Sequence, residues 1–427
     1  MRPGSLRGAR VDAGHERNFV MNAAMHAAGI PSHVPPELVR DYPFVLGATC
    51  DENPFDTLVP KVHEGPEVFY TPFVYPGNHP GWIFRRAKDL HAIYQDTEHF
   101  SNKDFAPFAK LLGDSWNLLP AETDPPMHAL YRAMVNPLFA PRKMQAMDNR
   151  VREFARGYIA KFKDRGECEF MSELAFRFPI AVFLELMNLP LERIDEFLQW
   201  EMQLLHSADL EVIIDGVRKV KSYLMSVIEQ RRERPGEDFI SYGIKAEIEG
   251  RKLTQDELFG FCFNLFIGGL DTVSTNMGLH FRHLAEHPDH QEILRKDPSK
   301  IPAAIEELLR AYAAVTTFRT VTKPVTVNGV QLMPGDKVAM ATTLANRDPQ
   351  AFDRPNEVLL DRNPRHITFA TGPHRCVGAP LARRELVIAM EEFLGSIPSF
   401  RIKPGVTIRT GIGMMIEPET VPLVWKV

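Results

Sequence analysis

One cysteine in a short glycine-flanked segment is the residue of this chain best placed to bind a metal. Cys376 lies between Gly372 and Gly378, and a helix-like run starts at Ala379. A structural zinc site needs four nitrogen or sulfur ligands, whereas haem iron needs only one protein ligand. The segment therefore predicts a thiolate bound to haem iron, an arrangement that favours cleavage of the O–O bond of dioxygen. The remaining cysteines are interpreted as small apolar residues: Cys50, Cys168 and Cys262.

The residues around Cys376 complete a wider pattern. Phe369, Gly372, His374 and Gly378 fit Phe-x-x-Gly-x-His/Arg-x-Cys-x-Gly, which is too specific to arise readily by chance. The two glycines are expected to adopt positive φ and to let the backbone pass close to a flat ligand. Backbone amide groups would then be free to donate hydrogen bonds to the sulfur and tune its donor strength.

A second candidate site lies inside a predicted helix. Gly268 and Gly269 each lower helix stability by ~1 kcal/mol relative to alanine, which indicates that a bound molecule such as dioxygen approaches the helix backbone there. Asp271 and Thr272 follow, an acid and an alcohol able to pass protons from solvent to a bound dioxygen. We expect the helix to be locally opened at this point. The alternative is a surface charge beside a hydroxyl that bonds its own backbone.

Three further segments agree with the cysteine motif, and with it they make the chain resemble the cytochrome P450 family. Residues 268–272 are similar to the family's oxygen-activation motif, residues 307–310 to its Glu-x-x-Arg helix, and residues 124–132 to the helix that holds the haem propionates. The motifs occur in the family's order. The resemblance implies one mainly α domain with a small β region, the cytochrome P450 fold, with haem b as cofactor and O2 as co-substrate.

The resemblance also implies roles for individual residues. Cys376 would ligate the iron, with Phe369 and Gly268 close to the haem, and Asp271 with Thr272 would form the proton relay. The implied propionate ligands are His128, Arg132, Arg319 and His374. A structural network that locks the loop bearing the cysteine is implied for Glu307, Arg310 and Arg362.

Length and composition bound the domain organisation. The 427 residues contain no linker, charge block or internal repeat, so we predict one haem-thiolate monooxygenase domain over residues 41–427. Residues 1–40 are predicted to be a flexible tail, and translation starts at either Met1 or Met21. The net charge of −5 gives no reason to expect nucleic-acid binding. The sequence has no run of about twenty apolar residues, so no membrane span is predicted. Four scattered cysteines suit a reducing cytoplasm.

Helical periodicity dominates the chain from about Trp82 onward. A long helix is predicted over residues 254–287, starting with a capping box, and Pro302 is expected to be the first residue of the Glu307 helix. An Asn-Gly pair predicts a tight hairpin over residues 325–332. A second β segment is predicted over residues 405–427.

An electron donor is expected to dock near the thiolate. Four arginines would form a local positive patch on an acidic protein: Arg132, Arg375, Arg383 and Arg384. The resemblance implies a separate [2Fe-2S] ferredoxin and an NAD(P)H-dependent flavin reductase, and the acidic carrier would bind this patch. Ordinary solubilising charge remains the alternative for Arg383 and Arg384.

The substrate is predicted to be small and apolar with one oxygen, a terpenoid or norisoprenoid. Within the family the chain most resembles the bacterial camphor hydroxylase group, but tryptophan stands where that group's camphor enzyme has a tyrosine. The expected pocket residues are Trp116, Asn264, Ile267, Val315, Thr317 and Met414. Core packing for Trp116 and a bond to its own helix for Asn264 stay open. Two other functions also stay open: O-demethylation of a small methoxyarene, and non-catalytic haem sensing.

Overall fold

A computed structural model describes residues 30–45, 47–75, 79–207 and 209–427. Helices dominate the described chain, and short 3-10 or π turns join several of them. The α-helices are α1 Pro54–Glu64, α2 Ala87–Gln95, α3 Phe108–Leu112, α4 Met127–Val135, α5 Pro141–Gln145, α6 Asp148–Ile159, α7 Arg177–Leu186, α8 Ile194–Leu205, α9 Leu210–Glu233, α10 Phe239–Lys245, α11 Gln255–Glu286, α12 Pro288–Lys296, α13 Ile301–Ala311, α14 Thr342–Ala345 and α15 Ala379–Ser396.

The strands form one larger sheet and several small ones. They are β1 Ala48–Cys50, β2 Val68–Tyr75, β3 His79–Phe84, β4 Phe100–Ser101, β5 Glu167–Glu169, β6 Glu247–Ile248, β7 Arg251–Lys252, β8 Thr316–Val321, β9 Val325–Val327, β10 Val330–Leu332, β11 Lys337–Ala341, β12 Phe400–Ile402, β13 Thr410–Ile412, β14 Ile416–Pro418 and β15 Pro422–Trp425. The five-stranded sheet has the order β2-β3-β11-β8-β4. Two three-stranded sheets have the orders β1-β13-β14 and β12-β15-β5.

Helix α11 crosses the middle of the domain. Thr254 accepts a hydrogen bond from the amide of Glu257, whose carboxylate in turn accepts one from the amide of Thr254, so the predicted capping box is present. By length and composition α11 is apolar enough to cross a membrane, but most of its apolar window is buried inside the fold. Its apolar character is therefore that of a core helix.

Most predicted elements are present, but the larger sheet was not predicted. The hairpin β9-β10 turns at Asn328 and Gly329, which both have positive φ, and β13 to β15 fill the predicted C-terminal β segment. Helix α13 starts at Ile301, one residue before the expected proline. Strands β3 and β11 lie where helix was expected, because strands buried on both faces lack polar alternation.

Part of the predicted tail belongs to the domain. Residues 1–29 lie outside the described residues, so the prediction of flexibility and the choice of start codon remain predictions there. Residues 30–40, however, pack against the sheet, so the boundary at residue 41 is wrong. Val34 is buried, and Val39 bridges Tyr70 of β2 while the Arg40 amide donates to the Tyr70 carbonyl. Buried apolar contact of this kind fixes the segment.

Candidate active site

The loop before α15 holds Cys376 in a tight reversal. The amide of Cys376 donates to the carbonyl of Phe369 at 2.9 Å. Gly372 has φ of 72°, and a Cβ there would lie 2.5 Å from the carbonyl oxygen of Tyr94, so only glycine fits. Ala370 also has positive φ, a strained conformation for alanine that the sequence did not indicate.

Cys376 sits at the N-terminus of α15. Its side chain is exposed, the amides of Gly378 and Ala379 donate to the sulfur, and the Arg132 and Arg383 cations also favour the thiolate. The expected amide donors are therefore present. Gly378 itself has an ordinary φ of −76°, so the expectation of positive φ is wrong for that glycine, which caps a helix instead.

Two cations and two imidazoles converge beside this loop. Arg132 donates from Nη1 to the carbonyl oxygen of Arg375 at 2.7 Å, and the His128 and His374 rings lie 3.9 Å apart. The Arg319 charge contributes to lowering the pKa of both histidines. Burial, with the Arg132 charge, lowers the pKa of His128 to about 4. Burial, then His128 and Arg319, lowers the pKa of His374 to about 2, so both rings are neutral donors near neutral pH.

Asn102 orients His374, although it belongs to no recognisable sequence motif. The Asn102 Nδ2 lies 3.0 Å from the Ala121 carbonyl oxygen, an acceptor only, so this atom is a donor. It therefore also donates to Nδ1 of His374, 2.9 Å away, which leaves the imidazole proton on Nε2. The Nε2 atoms of His374 and His128 are buried without a hydrogen-bond partner among the described residues. Two buried donors beside two guanidinium groups fit the carboxylates of haem.

One face of α11 keeps accessible surface in an otherwise buried helix. Asn264, Ile267, Gly268 and Thr272 lie on that face at helical spacing. A Cβ on Gly268 would meet no atom within 4 Å, whereas one on Gly269 would lie 3.1 Å from Phe183. Gly268 thus leaves room for a ligand and Gly269 permits close helix packing. The helix is α-helical throughout residues 268–272, so the expected local opening is not observed.

Asp271 is buried within a cluster that sequence reasoning missed. Its Oδ1 lies 3.3 Å from Nε2 of His206, whose Nδ1 lies 3.4 Å from Oε2 of Glu417. Burial, reinforced by Asp271, raises the pKa of Glu417 to about 8 and that of the nearby Glu201 well above its usual range. These partners come from distant segments and match no motif, so only the fold reveals them. The surface-charge alternative for Asp271 is wrong.

Glu307, Arg310 and Arg362 are in contact. Arg310 donates to both carboxylate oxygens of Glu307 at 2.8 Å, and Nε of Arg362 donates to Oε1 at 3.0 Å. Glu307 and Arg310 are fully buried, and Arg310 also donates to backbone carbonyls of residues 346, 355 and 357. The network therefore fixes the segment that precedes the cysteine loop.

The neighbouring Glu306 joins both sides of that loop. It accepts from Arg383 of α15 at 2.6 and 2.8 Å and lies 3.1 Å from Nε2 of His366. The Arg383 guanidinium also stacks on the Phe369 ring at 4.5 Å. Burial alone would raise the pKa of Glu306, but His366 and Arg383 outweigh it and lower that pKa to about 2.

The predicted docking patch is smaller than expected. Arg383 is bound by Glu306, and Arg384 forms a bidentate ion pair with Asp148. These ion pairs compensate both charges within the protein, which weakens the predicted attraction of a partner, and the docking role of Arg383 and Arg384 stays a prediction. Arg375 is exposed, and Arg132 is partly exposed beside it.

Trp116, one of the predicted pocket residues, lies in the core. Its ring packs on Phe259 and Phe263 at 4.8 and 5.0 Å, and its indole N–H donates to Asp114 at 2.9 Å. Its N–H is not free to donate to a substrate, which favours the alternative of core packing for Trp116.

Three other predicted pocket residues lie at the start of β8 and beside it. Val315 forms a bridge with Met415, and the amide of Thr316 donates to the carbonyl of Met414 at 2.7 Å. Thr317 Oγ1 lies 2.9 Å from the Tyr94 hydroxyl, and the Arg319 guanidinium lies 5.2 Å from the Tyr94 ring centre. Because side chains alternate along a strand, β8 directs Thr317 and Arg319 to one face, so the predicted pocket residue Thr317 lies on the same side of the strand as Arg319.

Comparison with known proteins identifies relatives of this arrangement. A family model described as Cytochrome P450 matches residues 184–409. "Probable cytochrome P450 127A1" of Sinorhizobium fredii is 37% identical over 93% of this chain and 97% of that protein. "Erythromycin C-12 hydroxylase" of Saccharopolyspora erythraea is 34% identical over 73% of this chain and 80% of that protein. The crystal structure of Cytochrome P450 CYP101C1 superposes with a TM-score of 0.83 at 33% identity, covering 93% of this chain and all of that one.

Proposed function

The chain belongs to the cytochrome P450 family of haem-thiolate monooxygenases, and from this premise we propose that it hydroxylates a compact apolar terpenoid or norisoprenoid with electrons from a ferredoxin. The family binds haem through a cysteine thiolate and uses O2. One observation carries the site assignment: Cys376 with its amide donors lies beside two guanidinium groups and two buried imidazole donors. Haem bound there supplies the activation of O2 for C–H hydroxylation.

The residues around the haem would bind its propionates, hold the cysteine loop in place and leave space for a ligand. His128, Arg132, Arg319 and His374 would neutralise and orient the propionates, and Phe369 would flank the thiolate loop. The Glu307 and Glu306 networks would hold that loop in place. Gly268 would leave space for a small molecule beside α11, which a larger side chain at this position would fill.

Asp271 and Thr272 would deliver protons to the reacting oxygen. The carboxylate of Asp271 is buried beside His206, and Thr272 follows on the accessible side of α11. Asp271 would exchange protons with His206, and Thr272 would pass them on to the bound substrates. An acid next to an alcohol in this order suits general acid catalysis. This pair favours turnover over a sensing role, which needs no proton path.

The chemistry of the predicted pocket residues suits the substrate class. Ile267, Val315 and Met414 offer aliphatic or thioether contacts, while Asn264 offers one polar handle. Trp116 no longer contributes a donor, and the Thr317 hydroxyl is already close to Tyr94. A substrate with one oxygen would therefore have Asn264 as its candidate partner.

A [2Fe-2S] ferredoxin, reduced by an NAD(P)H-dependent flavin reductase, is proposed as the electron source. The Arg132 guanidinium donates to the backbone beside Cys376, and Arg375 is exposed there. An acidic carrier docked at this point would lie close to the Cys376 loop. The four cysteines form no disulfide, which fits the proposed cytoplasmic location.

Optical titration of the ferric protein tests the substrate class. Camphor, cineole, ionones and small methoxyarenes are added in turn, and the Soret band is followed for the shift caused by displacement of iron-bound water. A macrolide and a steroid serve as controls, since relatives named for such substrates exist. A shift with one terpenoid class supports the proposal. A shift only with methoxyarenes indicates O-demethylation, whereas ligand binding without O2-coupled product formation indicates a sensor.

A further inference from the structure

A cluster of four ionisable side chains lies behind Asp271, built from three separate elements. Glu201 lies on α8, His206 directly follows that helix, Asp271 lies on α11, and Glu417 lies on β14. One ligand atom from each of Glu201, His206 and Asp271 can be chosen so that all three lie within 4.8 Å of one another. Three carboxylates around a single imidazole concentrate negative charge at one point of the interior.

The acidic members of this cluster are buried, and His206 is the one cation close to them among the described residues. Glu201 is 1% exposed and Asp271 2%, and no group among the described residues is hydrogen-bonded to either oxygen of either carboxylate. Glu417 is 8% exposed, and its Oε1 has no partner either. Buried carboxylates are normally hydrogen-bonded or paired, since burial without compensation is costly. A cation bound between Glu201 and Asp271 would compensate the charges of these two buried carboxylates.

The spacing of the atoms fits a tetrahedral cation. Metal–ligand bonds of about 2.0–2.1 Å place the ligand atoms of a tetrahedral site roughly 3.4 Å apart. The observed separation between His206 Nε2 and Asp271 Oδ1 is 3.3 Å. The Glu201 ligand atom lies within 4.8 Å of the other two, so its carboxylate has to turn toward them when the cation binds.

We propose that Glu201, His206 and Asp271 form a binding site for a divalent transition cation such as Zn²⁺. Glu417 would not bind the cation itself but would orient His206, because its Oε2 lies 3.4 Å from Nδ1, the ring nitrogen that does not face Asp271. A ligating histidine commonly donates its second N–H to a carboxylate, which fixes its orientation. Two oxygen ligands and one imidazole suit Zn²⁺ better than Ca²⁺, which takes six or more oxygen ligands.

Cation binding has a consequence for turnover, and this consequence rests on the proposed function. A carboxylate of Asp271 that coordinates Zn²⁺ no longer accepts and releases protons, so the path to Thr272 is interrupted. Zn²⁺ is then an inhibitor that slows product formation without displacing haem or substrate. The cation site would couple the availability of metal to monooxygenase activity.

Isothermal titration of the haem-loaded protein with Zn²⁺ tests the site. We expect one Zn²⁺ per chain, at least about tenfold weaker binding in Glu201→Gln and in His206→Gln, and about 10- to 100-fold weaker binding in Glu417→Gln. Glu419→Gln is the matched control, since Glu419 is exposed two residues from Glu417. His287→Gln is a second control, because His287 stacks on His283 at 4.1 Å and offers a competing site.

Two results would overturn the inference: no stoichiometric binding in the intact protein, or binding lost only in His287→Gln. A Zn²⁺-soaked crystal locates the cation by its anomalous signal and separates the two sites directly. Because titration and diffraction do not depend on turnover, they fail or succeed independently of the proposed function. A protein that hydroxylates its substrate but binds no Zn²⁺ refutes the cation site alone, whereas one that binds Zn²⁺ at this cluster without catalysing hydroxylation refutes the proposed function alone.

Discussion

Replacing Asn102 with leucine tests whether a residue remote from the iron controls how tightly haem is held. Leucine has a similar volume but no donor, so Nδ1 of His374 loses its 2.9 Å hydrogen bond. The imidazole is then free to carry its proton on Nδ1, which turns Nε2 from a donor into an acceptor. An acceptor at that position repels a propionate carboxylate instead of binding it.

The expected cost follows from this lost donor. A hydrogen bond to a charged group contributes about 1.5–3 kcal/mol. Since each 1.4 kcal/mol is a factor of ten, haem should bind roughly 10- to 150-fold more weakly in Asn102→Leu. Asn149→Leu, an exposed substitution on α6, should bind haem like the unmodified protein.

Transfer of haem to an excess of apomyoglobin measures this loss, and a double-mutant cycle assigns its cause. In a His374→Ala background, Asn102→Leu should change haem loss by no more than about twofold, because the residue that it orients is gone. Equal haem retention in Asn102→Leu and the unmodified protein would refute the tautomer argument. A full Asn102→Leu effect in the His374→Ala background would show that Asn102 acts on the structure in general.

Three further outcomes are expected. Glu307→Gln leaves the buried Arg310 charge without its carboxylate, so the free energy of unfolding should fall by about 3–5 kcal/mol in urea titration, with exposed Glu419→Gln as control. Glu306 has a pKa lowered to about 2, so its carboxylate stabilises the cysteine loop above about pH 4.5 and this contribution is lost as the pH falls toward 2. Soret absorbance followed during acidification should therefore decline at higher pH in Glu306→Gln, and identical acid profiles would contradict this. Thr272→Ala should divert electrons from product to hydrogen peroxide, and unchanged coupling would show that protons take another route.

The local motifs were readable from the sequence because each depends on residues close together in the chain. The capping box of Thr254, the Asn328-Gly329 hairpin and the glycine-bracketed Cys376 are of this kind. Their backbone requirements are local, so residue type alone indicates them. The resemblance to one family also predicts that Arg310 and Arg362 are partners of Glu307, and the three side chains are in contact.

Features that depend on long-range packing were not readable. Strands β3 and β11 are buried on both faces and therefore lack the alternation that marks a strand. Asn102, His206 and Glu417 reach their partners only after the chain has folded. Trp116 was assigned to the pocket by register in a loop, but its N–H is satisfied within the protein by Asp114.

The ferrous carbon monoxide spectrum of the protein and of Cys376→Ser tests the central claim most directly. The account predicts that the unmodified protein shows the red-shifted Soret band of a thiolate-ligated haem, and that this band is lost in Cys376→Ser while Cys50→Ser retains it. A thiolate-type band that survives in Cys376→Ser would contradict the assignment of Cys376 as the iron ligand.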